Sequence, residues 1–287
     1  MSIKRILVTG ANGQLGNECR QLAKKINDVD FVFTDVEELS ITDELAIEKI
    51  FSNHQFDYCI NAAAYTAVDN AEKDIDTANA INATAVGYLA KACSKYDCRL
   101  IHVSTDYVFD GEKEDGYFED DSTGPINIYG SSKLSGEQFA LEYNAQSLVI
   151  RTSWVYSYFG KNFVKTMMKL MQERAEISVV SDQIGKPTYA ADLASAIFKI
   201  IFSSEEFIPG IYHYSNKGVI SWYDFAVAIK EIGNYSCNVN PIPSSAYPVP
   251  AKRPHYSILI TDKIESVYGV EIPYWKESLK KCMQLLS

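Results

Sequence analysis

Short runs of aliphatic and β-branched residues alternate with amphipathic segments along the first half of the chain. The segments between the runs, such as 42–51 and 78–95, carry apolar residues at helical spacing. Near-continuous apolar strands separated by helices are typical of a parallel sheet covered on both faces. The pattern therefore predicts an α/β fold with a doubly wound parallel sheet. The predicted strands are 4–9, 31–35, 57–62, 99–104 and 147–152.

The pattern becomes more mixed after the fifth strand. Strand-like runs at 177–181 and 210–214 are interspersed with helical segments at 192–202 and 222–232. Five prolines between positions 240 and 254 predict an extended loop that no helix crosses.

The length of 287 residues fits one large domain, or a main domain with a small appendage. No low-complexity linker and no repeat divides the chain. We expect a first domain over 1–153 and a smaller lobe over 154–287, with some segments of the second half returning to the first domain. A ligand cleft is expected between the two parts.

Composition and charge exclude several classes of function. A hydrophobic fraction of 47% supports a sizeable core, and a net charge of −10 argues against non-specific binding to nucleic acid. No run approaches the roughly 18 apolar residues of a transmembrane helix, and the N-terminus holds too few for a signal-peptide core. The six cysteines form no Cys-x-x-Cys pair, so we expect buried thiols in a reducing cytoplasm and no zinc site.

A glycine-rich turn directly follows the first predicted strand. It reads Gly10-Ala-Asn-Gly-Gln-Leu-Gly16 and leads into an amphipathic helix. Glycines there bring backbone N–H groups close to a pyrophosphate at the positive end of the helix. The turn therefore predicts dinucleotide binding, the alternative being a purely structural turn.

Asp35 ends the second predicted strand, about where a carboxylate meets the adenosine ribose of a dinucleotide. A carboxylate there repels a 2′-phosphate and so modestly favours NADH, although many enzymes of this type accept NADPH as well. The alternative is that Asp35 only shapes a turn at the end of the strand.

Tyr129 and Lys133 stand four residues apart, so on a helix they share one face. A tyrosine pKa of about 10 must fall to ~7 for proton transfer near neutrality, which needs about 4 kcal/mol. We expect this lowering from Lys133 together with a positively charged nicotinamide. Thr105, at the polar end of the fourth strand, can hydrogen-bond the reacting oxygen. The alternative is that Tyr129 and Lys133 merely begin an amphipathic helix.

These residues resemble the extended short-chain dehydrogenase/reductase superfamily and, within it, the dTDP-4-dehydrorhamnose reductase family. The resemblance spans almost the whole chain and implies a Rossmann-type fold with a smaller C-terminal substrate-binding lobe. It also implies a Ser/Thr-Tyr-Lys catalytic set. The segments that carry it are 10–16, 61–69, 104–109, 127–130, 151–156, 162–167, 182–188 and 244–248, with Arg253, Pro254 and Ser257.

The resemblance implies the last step of dTDP-L-rhamnose synthesis. The C4 ketone of dTDP-4-dehydro-β-L-rhamnose would be reduced by hydride from NADPH or NADH. Tyr129 would donate the proton, Lys133 would lower the pKa of the tyrosine and hold the ribose, and Thr105 would orient the carbonyl oxygen.

The resemblance also assigns binding residues. Alternatives from the residues alone are core packing for Ala62–Ala64 and Trp154, and a surface position for Arg253. The implied cofactor contacts are Gly10, Asn12, Gly13, Gln14, Leu15, Gly16, Asp35, Ala62, Ala63, Ala64, Tyr129 and Lys133. The implied substrate contacts are Thr66, Val68, Asp69, Thr105, Asp106, Tyr107, Trp154 and Arg253.

Two departures from the family pattern bear on binding and assembly. Ser40-Ile41 stands where the family often has an aspartate that touches adenine. Glu18 matches one glutamate of a magnesium-bridged dimer, but Ala191 replaces another, which makes Mg²⁺ doubtful and leaves a monomer or homodimer open. We interpret Glu18 as a solvated helix residue.

Two rival functions share these motifs. A sugar-nucleotide epimerase or dehydratase would regenerate its NAD, but Tyr107 stands where dehydratases usually carry a glutamate. A regulatory subunit would bind a dinucleotide without turning over a substrate. The joint presence of Thr105, Tyr129 and Lys133 favours an enzyme over such a subunit.

Overall fold

A computed structural model describes residues 3–203 and 206–286. The strands are, in chain order, β1 (Lys4–Thr9), β2 (Val29–Thr34), β3 (Tyr58–Asn61), β4 (Arg99–Thr105), β5 (Ser147–Thr152), β6 (Val155–Tyr156), β7 (Glu176–Val180), β8 (Ile184–Gly185), β9 (Thr188–Tyr189), β10 (Gly210–His213), β11 (Ile220–Ser221), β12 (Asn238–Ile242) and β13 (Tyr256–Ser257). The helices are α1 (Gln14–Ala23), α2 (Glu44–Asn53), α3 (Val68–Ala71), α4 (Ile75–Asn79), α5 (Ala85–Lys95), α6 (Ile128–Tyr143), α7 (Phe163–Glu173), α8 (Ala190–Phe202), α9 (Trp222–Gly233), α10 (Asp262–Tyr268) and α11 (Trp275–Gln284).

A six-stranded sheet forms the centre of the larger part. Its order is β10-β5-β4-β3-β1-β2, and every neighbouring pair is parallel. The order reverses between β1 and β3, and such a switch point leaves a crevice at the carboxyl ends of the strands. The predicted α/β fold with a doubly wound parallel sheet is confirmed.

Helices cover both faces of this sheet. Alternate residues of β1 point to opposite layers, Ile6 and Val8 toward α1 and α8, and Leu7 toward α2 and α5. All three side chains are fully buried, which explains why the sequence of β1 is an uninterrupted apolar run.

A second core, which we call the smaller lobe, lies in the C-terminal half of the chain. Helices α7, α9 and α11 pack with β7 around Met167, Phe225 and Trp275. Helix α8, strand β10 and helix α10 come from the same half of the sequence but pack on the six-stranded sheet.

The prediction of an extended loop over 240–254 is wrong for its first residues. Asn240–Ile242 belong to β12, which pairs in parallel with β7 in a two-stranded sheet. Pro241 is tolerated there because an edge strand need not donate a hydrogen bond on its outer side. A short 3₁₀ turn at Ser244–Ala246 follows.

None of the helices in the described ranges is long and apolar enough to cross a membrane.

Candidate active site

A cleft of about 880 Å³ opens beside the carboxyl end of β4, and Thr105, Tyr129 and Lys133 all line it. A second cavity of about 470 Å³ lies over the ends of β1 and β2. The two cavities share Gly13, Ala62 and Ala64, so they form one groove across the switch point of the sheet. An elongated ligand can lie along it.

The glycine turn is packed too tightly for side chains. Gly10 has φ +64°, and a Cβ atom there would lie 2.6 Å from the backbone nitrogen of Ala63. A Cβ atom on Gly16 would lie 2.4 Å from the carbonyl oxygen of Gly10. The glycines therefore bring the turn against the end of β3 and against the first turn of α1.

The N-terminus of α1 is open toward the groove. Gly13 is its N-cap residue, with no side-chain cap, and the first turn holds no acidic residue. Such an end presents free N–H groups and partial positive charge, which fits a pyrophosphate. Gln14 accepts a hydrogen bond from Asn162 at 2.9 Å and so links the turn to the smaller lobe.

Asp35 shapes the turn from the end of β2. Its two carboxylate oxygens accept from the backbone N–H groups of Asn12 and Val36, each at 2.8 Å. Asp35 also lines the smaller cavity, together with Ser40 and Ile41. The carboxylate therefore holds the turn and also faces the smaller cavity.

Helix α6 places the Tyr129 phenol where it interacts with the Thr105 hydroxyl. Asn127 caps the helix by accepting from the Gly130 N–H at 2.7 Å. A Cβ atom on Gly130 would lie 2.1 Å from the carbonyl oxygen of Tyr107, so this glycine allows close contact with the turn after β4.

The Tyr129 phenol is neutral in the chain by itself. Burial raises its pKa to about 12, Asp106 acts in the same direction, and the Thr105 hydroxyl partly offsets both. The chain alone therefore does not lower the pKa of Tyr129. The lowering predicted from the sequence was expected from Lys133 acting together with a bound nicotinamide.

Lys133 lies almost fully buried beneath the cleft. Its Nζ donates to the carbonyl oxygen of Val103 at 2.6 Å and lies 3.4 Å from His102 Nε2. Burial lowers the pKa of Lys133 to about 8, and the Glu137 carboxylate, one turn further along α6, opposes this. A small change in its surroundings can thus change the charge of Lys133 near neutral pH.

Asp106 lines the cleft with a buried carboxylate that is only partly satisfied. Its Oδ1 accepts from the Thr105 hydroxyl at 3.0 Å. No well-formed hydrogen bond reaches its Oδ2 within the described part of the chain, although the nearby Ser257 hydroxyl acts to lower the pKa of the carboxyl. Burial raises the pKa of Asp106 to about 6. A ligand hydroxyl that reached this oxygen would satisfy it.

Trp154 is held in a strained conformation at the edge of the cleft. Its φ is +49°, and its ring stacks on Trp222 with 3.7 Å between centroids and 12° between planes. A Cβ atom on Gly185 would lie 2.7 Å from the same ring, so this ring is closely packed. Sequence reasoning missed Trp222, which is the first residue of helix α9.

Arg253 and Asp69 form a bidentate ion pair. The Nη1–Oδ1 and Nη2–Oδ2 distances are 3.0 and 2.8 Å. Arg253 lines the cleft and Asp69 does not, so the guanidinium is the member of the pair that faces the cleft. The two residues were assigned separately from the sequence because 183 positions lie between them.

Most of the residues assigned from the sequence line the groove, and the structure adds several that sequence reasoning missed. Thr66, Val68 and Tyr107 line the larger cavity, whereas Gly16 lies behind the turn. Lys161 is an added cation whose only signal in the sequence is its place before the 162–167 motif. Other added residues of the larger cavity are Val103, Ser104, Thr152, Val155, Gly160, Phe163 and Leu193.

The interpretation of Glu18 as a solvated residue is wrong. Its side chain is buried and accepts from the Ser157 hydroxyl at 2.6 Å, which ties α1 to the smaller lobe. Burial raises the pKa of Glu18. Within the described ranges, no group of three or more His, Cys, Asp or Glu residues is placed to hold a metal ion.

Comparison with known proteins identifies the family. The family model described as the RmlD substrate binding domain matches residues 4–287. A dTDP-4-dehydrorhamnose reductase of Aggregatibacter actinomycetemcomitans is 41% identical over 286 residues, which cover 96% of this chain and 97% of the relative. The chain belongs to the dTDP-4-dehydrorhamnose reductase family.

Two solved structures of the dTDP-4-dehydrorhamnose reductase family superpose over nearly their full length. That from Clostridium acetobutylicum has a TM-score of 0.95 and 42% identity, covering 98% of this chain and 99% of that one. That from Bacillus anthracis, in complex with NADP, has a TM-score of 0.92 and 41% identity, with the same coverage. The groove described above therefore belongs to a family fold that has been observed with a nicotinamide dinucleotide.

Proposed function

We propose that this chain reduces the C4 ketone of dTDP-4-dehydro-β-L-rhamnose to the hydroxyl of dTDP-β-L-rhamnose, with NADPH or NADH as the reductant. The observation that carries the proposal is the convergence of Thr105, Tyr129 and Lys133 on one wall of the larger cavity. The relatives named for this reaction match the chain over nearly its whole length, including the smaller lobe.

The open end of α1 and the glycine turn would hold the pyrophosphate, and Asp35 would face the adenosine ribose. Asp35 therefore favours NADH, while the relative crystallised with NADP shows that the family also accommodates a 2′-phosphate. When bound, the nicotinamide supplies the hydride.

Tyr129 would act as the general acid. A reduction needs a protonated donor at the start, and the raised pKa of the phenol keeps its proton in place until negative charge develops on the sugar oxygen. Thr105 would hydrogen-bond the same oxygen, and the Lys133 ammonium would stabilise the phenolate that remains.

The smaller lobe would complete the sugar site. Trp154 offers an aromatic face at the cleft edge, and Arg253 is held by Asp69 where it can reach a diphosphate. Tyr107 stands where a dehydratase would need an acid, so the groups present suit reduction better than elimination.

The decisive assay follows the absorbance of NADPH and of NADH with dTDP-4-dehydrorhamnose, and with other keto-sugar nucleotides as controls. We expect stoichiometric oxidation of the reduced cofactor with the rhamnose precursor. Turnover of a nucleotide-sugar without net cofactor consumption would indicate an epimerase or dehydratase. Binding without any turnover would indicate a regulatory subunit.

Asp106 predicts a pH dependence for binding of the keto sugar. Its pKa of about 6 means that the carboxylate is charged above pH 6 and protonated below it. As pH falls through 6, we expect the KM for the keto sugar to rise, because a charged hydrogen-bond acceptor is lost. In Asp106→Asn the KM should be about tenfold higher at pH 8 and show no acid limb. An unchanged acid limb in this variant would assign the titration to another group.

The proposed setting is the cytoplasm, which suits six free and buried thiols. The engagement of Glu18 by Ser157 favours a monomer, or a homodimer formed without a bridging metal ion.

A further inference from the structure

A row of four buried polar side chains runs beneath the cleft from β1 to α6. The hydroxyl of Thr9 donates to Asn61 Oδ1 at 2.7 Å, and Asn61 Nδ2 lies 3.0 Å from His102 Nδ1. His102 Nε2 lies 3.4 Å from Lys133 Nζ. None of the four is more than 2% exposed. The proposed reaction uses only Lys133, which leaves the other three without a part in it.

The Asn61 carboxamide has one possible orientation. The backbone N–H of Ala63 points at its Oδ1 over 3.2 Å, and a backbone N–H can only donate, so this atom must be oxygen. Asn61 Nδ2 therefore donates to His102 Nδ1. A ring nitrogen that accepts carries no proton, so the neutral imidazole holds its proton on Nε2.

His102 is neutral in the folded chain. Burial first, and then the charge of Lys133, hold its pKa well below the usual range. The Nε2–H of this neutral ring points at the nitrogen of Lys133. An ammonium group has three donors and no acceptor, whereas an amine has a lone pair that can accept this N–H.

The other charged and titratable groups around Lys133 come from three elements. Glu137 lies one turn further along α6, and its carboxylate favours the ammonium, but it is also paired with Arg151 of β5 at 2.8 Å. Tyr129, one turn earlier on α6, is neutral because burial raises its pKa to about 12. On β4, His102 faces Lys133 directly.

We propose that Asn61 and His102 are positioning residues for Lys133. Asn61 fixes the imidazole so that its N–H points at the lysine nitrogen, and this N–H stabilises the amine form of Lys133 relative to the ammonium form. The inference deepens the proposed function, because it names the residues that limit the charge on its catalytic lysine. Where the reaction needs the ammonium, activity falls as pH rises through the pKa of Lys133, which burial lowers to about 8. The fixed N–H of His102 would add to this lowering.

The test is NMR of the full-length chain without ligands. The ¹⁵N signals of His102 report its tautomer, and the ¹³Cε signal of Lys133, identified by its loss in Lys133→Arg, reports its titration. We expect the proton on Nε2 and a titration midpoint near pH 8. A proton on Nδ1 of His102 would overturn the inference, and this measurement needs no substitution in the row.

Two substitutions reverse the hydrogen-bond polarity toward Lys133. In Asn61→Asp the carboxylate accepts from Nδ1–H, so that Nε2 turns its lone pair to the lysine. In His102→Gln a carboxamide oxygen can accept from the ammonium. Both should raise the Lys133 midpoint by about one pH unit or more, which is a tenfold change in proton affinity.

His213→Gln is the matched control, because it removes another fully buried neutral imidazole on a different strand of the same sheet. It should leave the Lys133 titration unchanged. If the two substitutions in the row lower stability and leave the midpoint where it was, their role is only structural and the inference is wrong. Since no sugar is present, this result does not depend on which substrate the enzyme reduces.

Discussion

Replacing Tyr129 by phenylalanine lowers the rate of keto-sugar reduction by roughly 10²–10⁴-fold, the range typical for loss of a general acid. The half-buried phenol lines the larger cavity beside Thr105, and no other acidic side chain is placed to take over its proton transfer to the same oxygen in the described part of the chain. Binding of NADPH should change little, because the glycine turn and α1 remain intact. The measurements are steady-state rates from NADPH absorbance and a fluorescence titration of NADPH.

Tyr143→Phe is the matched control for this substitution. Tyr143 is the last residue of the same helix and stacks on Phe139, away from the cleft. Its loss of a hydroxyl should leave the rate near that of the unaltered chain. A Tyr129→Phe enzyme with nearly full turnover would remove Tyr129 from the mechanism.

Arg151→Met destabilises the fold by about 3–5 kcal/mol, the range for breaking a buried ion pair by removing one partner. Arg151 Nε lies 3.0 Å from Glu137 Oε1 and Nη2 lies 2.8 Å from Oε2, and neither side chain is more than 3% exposed. Without the guanidinium, Glu137 is an uncompensated charge between α6 and β5. Urea unfolding followed by circular dichroism gives the free energy of unfolding.

The double variant Arg151→Met with Glu137→Leu separates charge from packing. Removing both charges should recover most of the lost stability, since apolar residues of similar volume often replace a buried ion pair at little cost. If Arg151→Met alone lowered the free energy of unfolding by less than about 1 kcal/mol, protonation or hydration of Glu137 would have to remove most of the cost of its unpaired charge.

The larger part of the fold could be predicted from the sequence because its strands are buried on both faces of the sheet. Each of the five strands predicted in the first half forms, with ends shifted by at most two residues. The apolar run of β1 and the glycine turn after it are local features, so neighbouring residues determine them. The helix predicted over 78–95 begins earlier, at Ile75, and contains a π-helical turn at Ala80–Thr84 that no residue pattern indicated.

The parts of the site that depend on the smaller lobe could not be predicted from local sequence patterns. Trp222 reaches the cleft only because α9 packs against β7 and α7. The pairing of Asp69 with Arg253 joins residues that are distant in sequence, and neither the spacing nor the composition of their segments indicates it. The polarity of the Asn61 carboxamide depends on a single backbone N–H.

The stacked indoles at the cleft edge provide an intrinsic optical reporter. Trp154 and Trp222 are in van der Waals contact there, whereas Trp275, the third tryptophan of the chain, is enclosed in the core of the smaller lobe. A sugar that enters the cleft changes the polarity around two of the three emitters and leaves the third as an internal reference. Ligand association can therefore be followed in the unlabelled protein by its own ultraviolet emission.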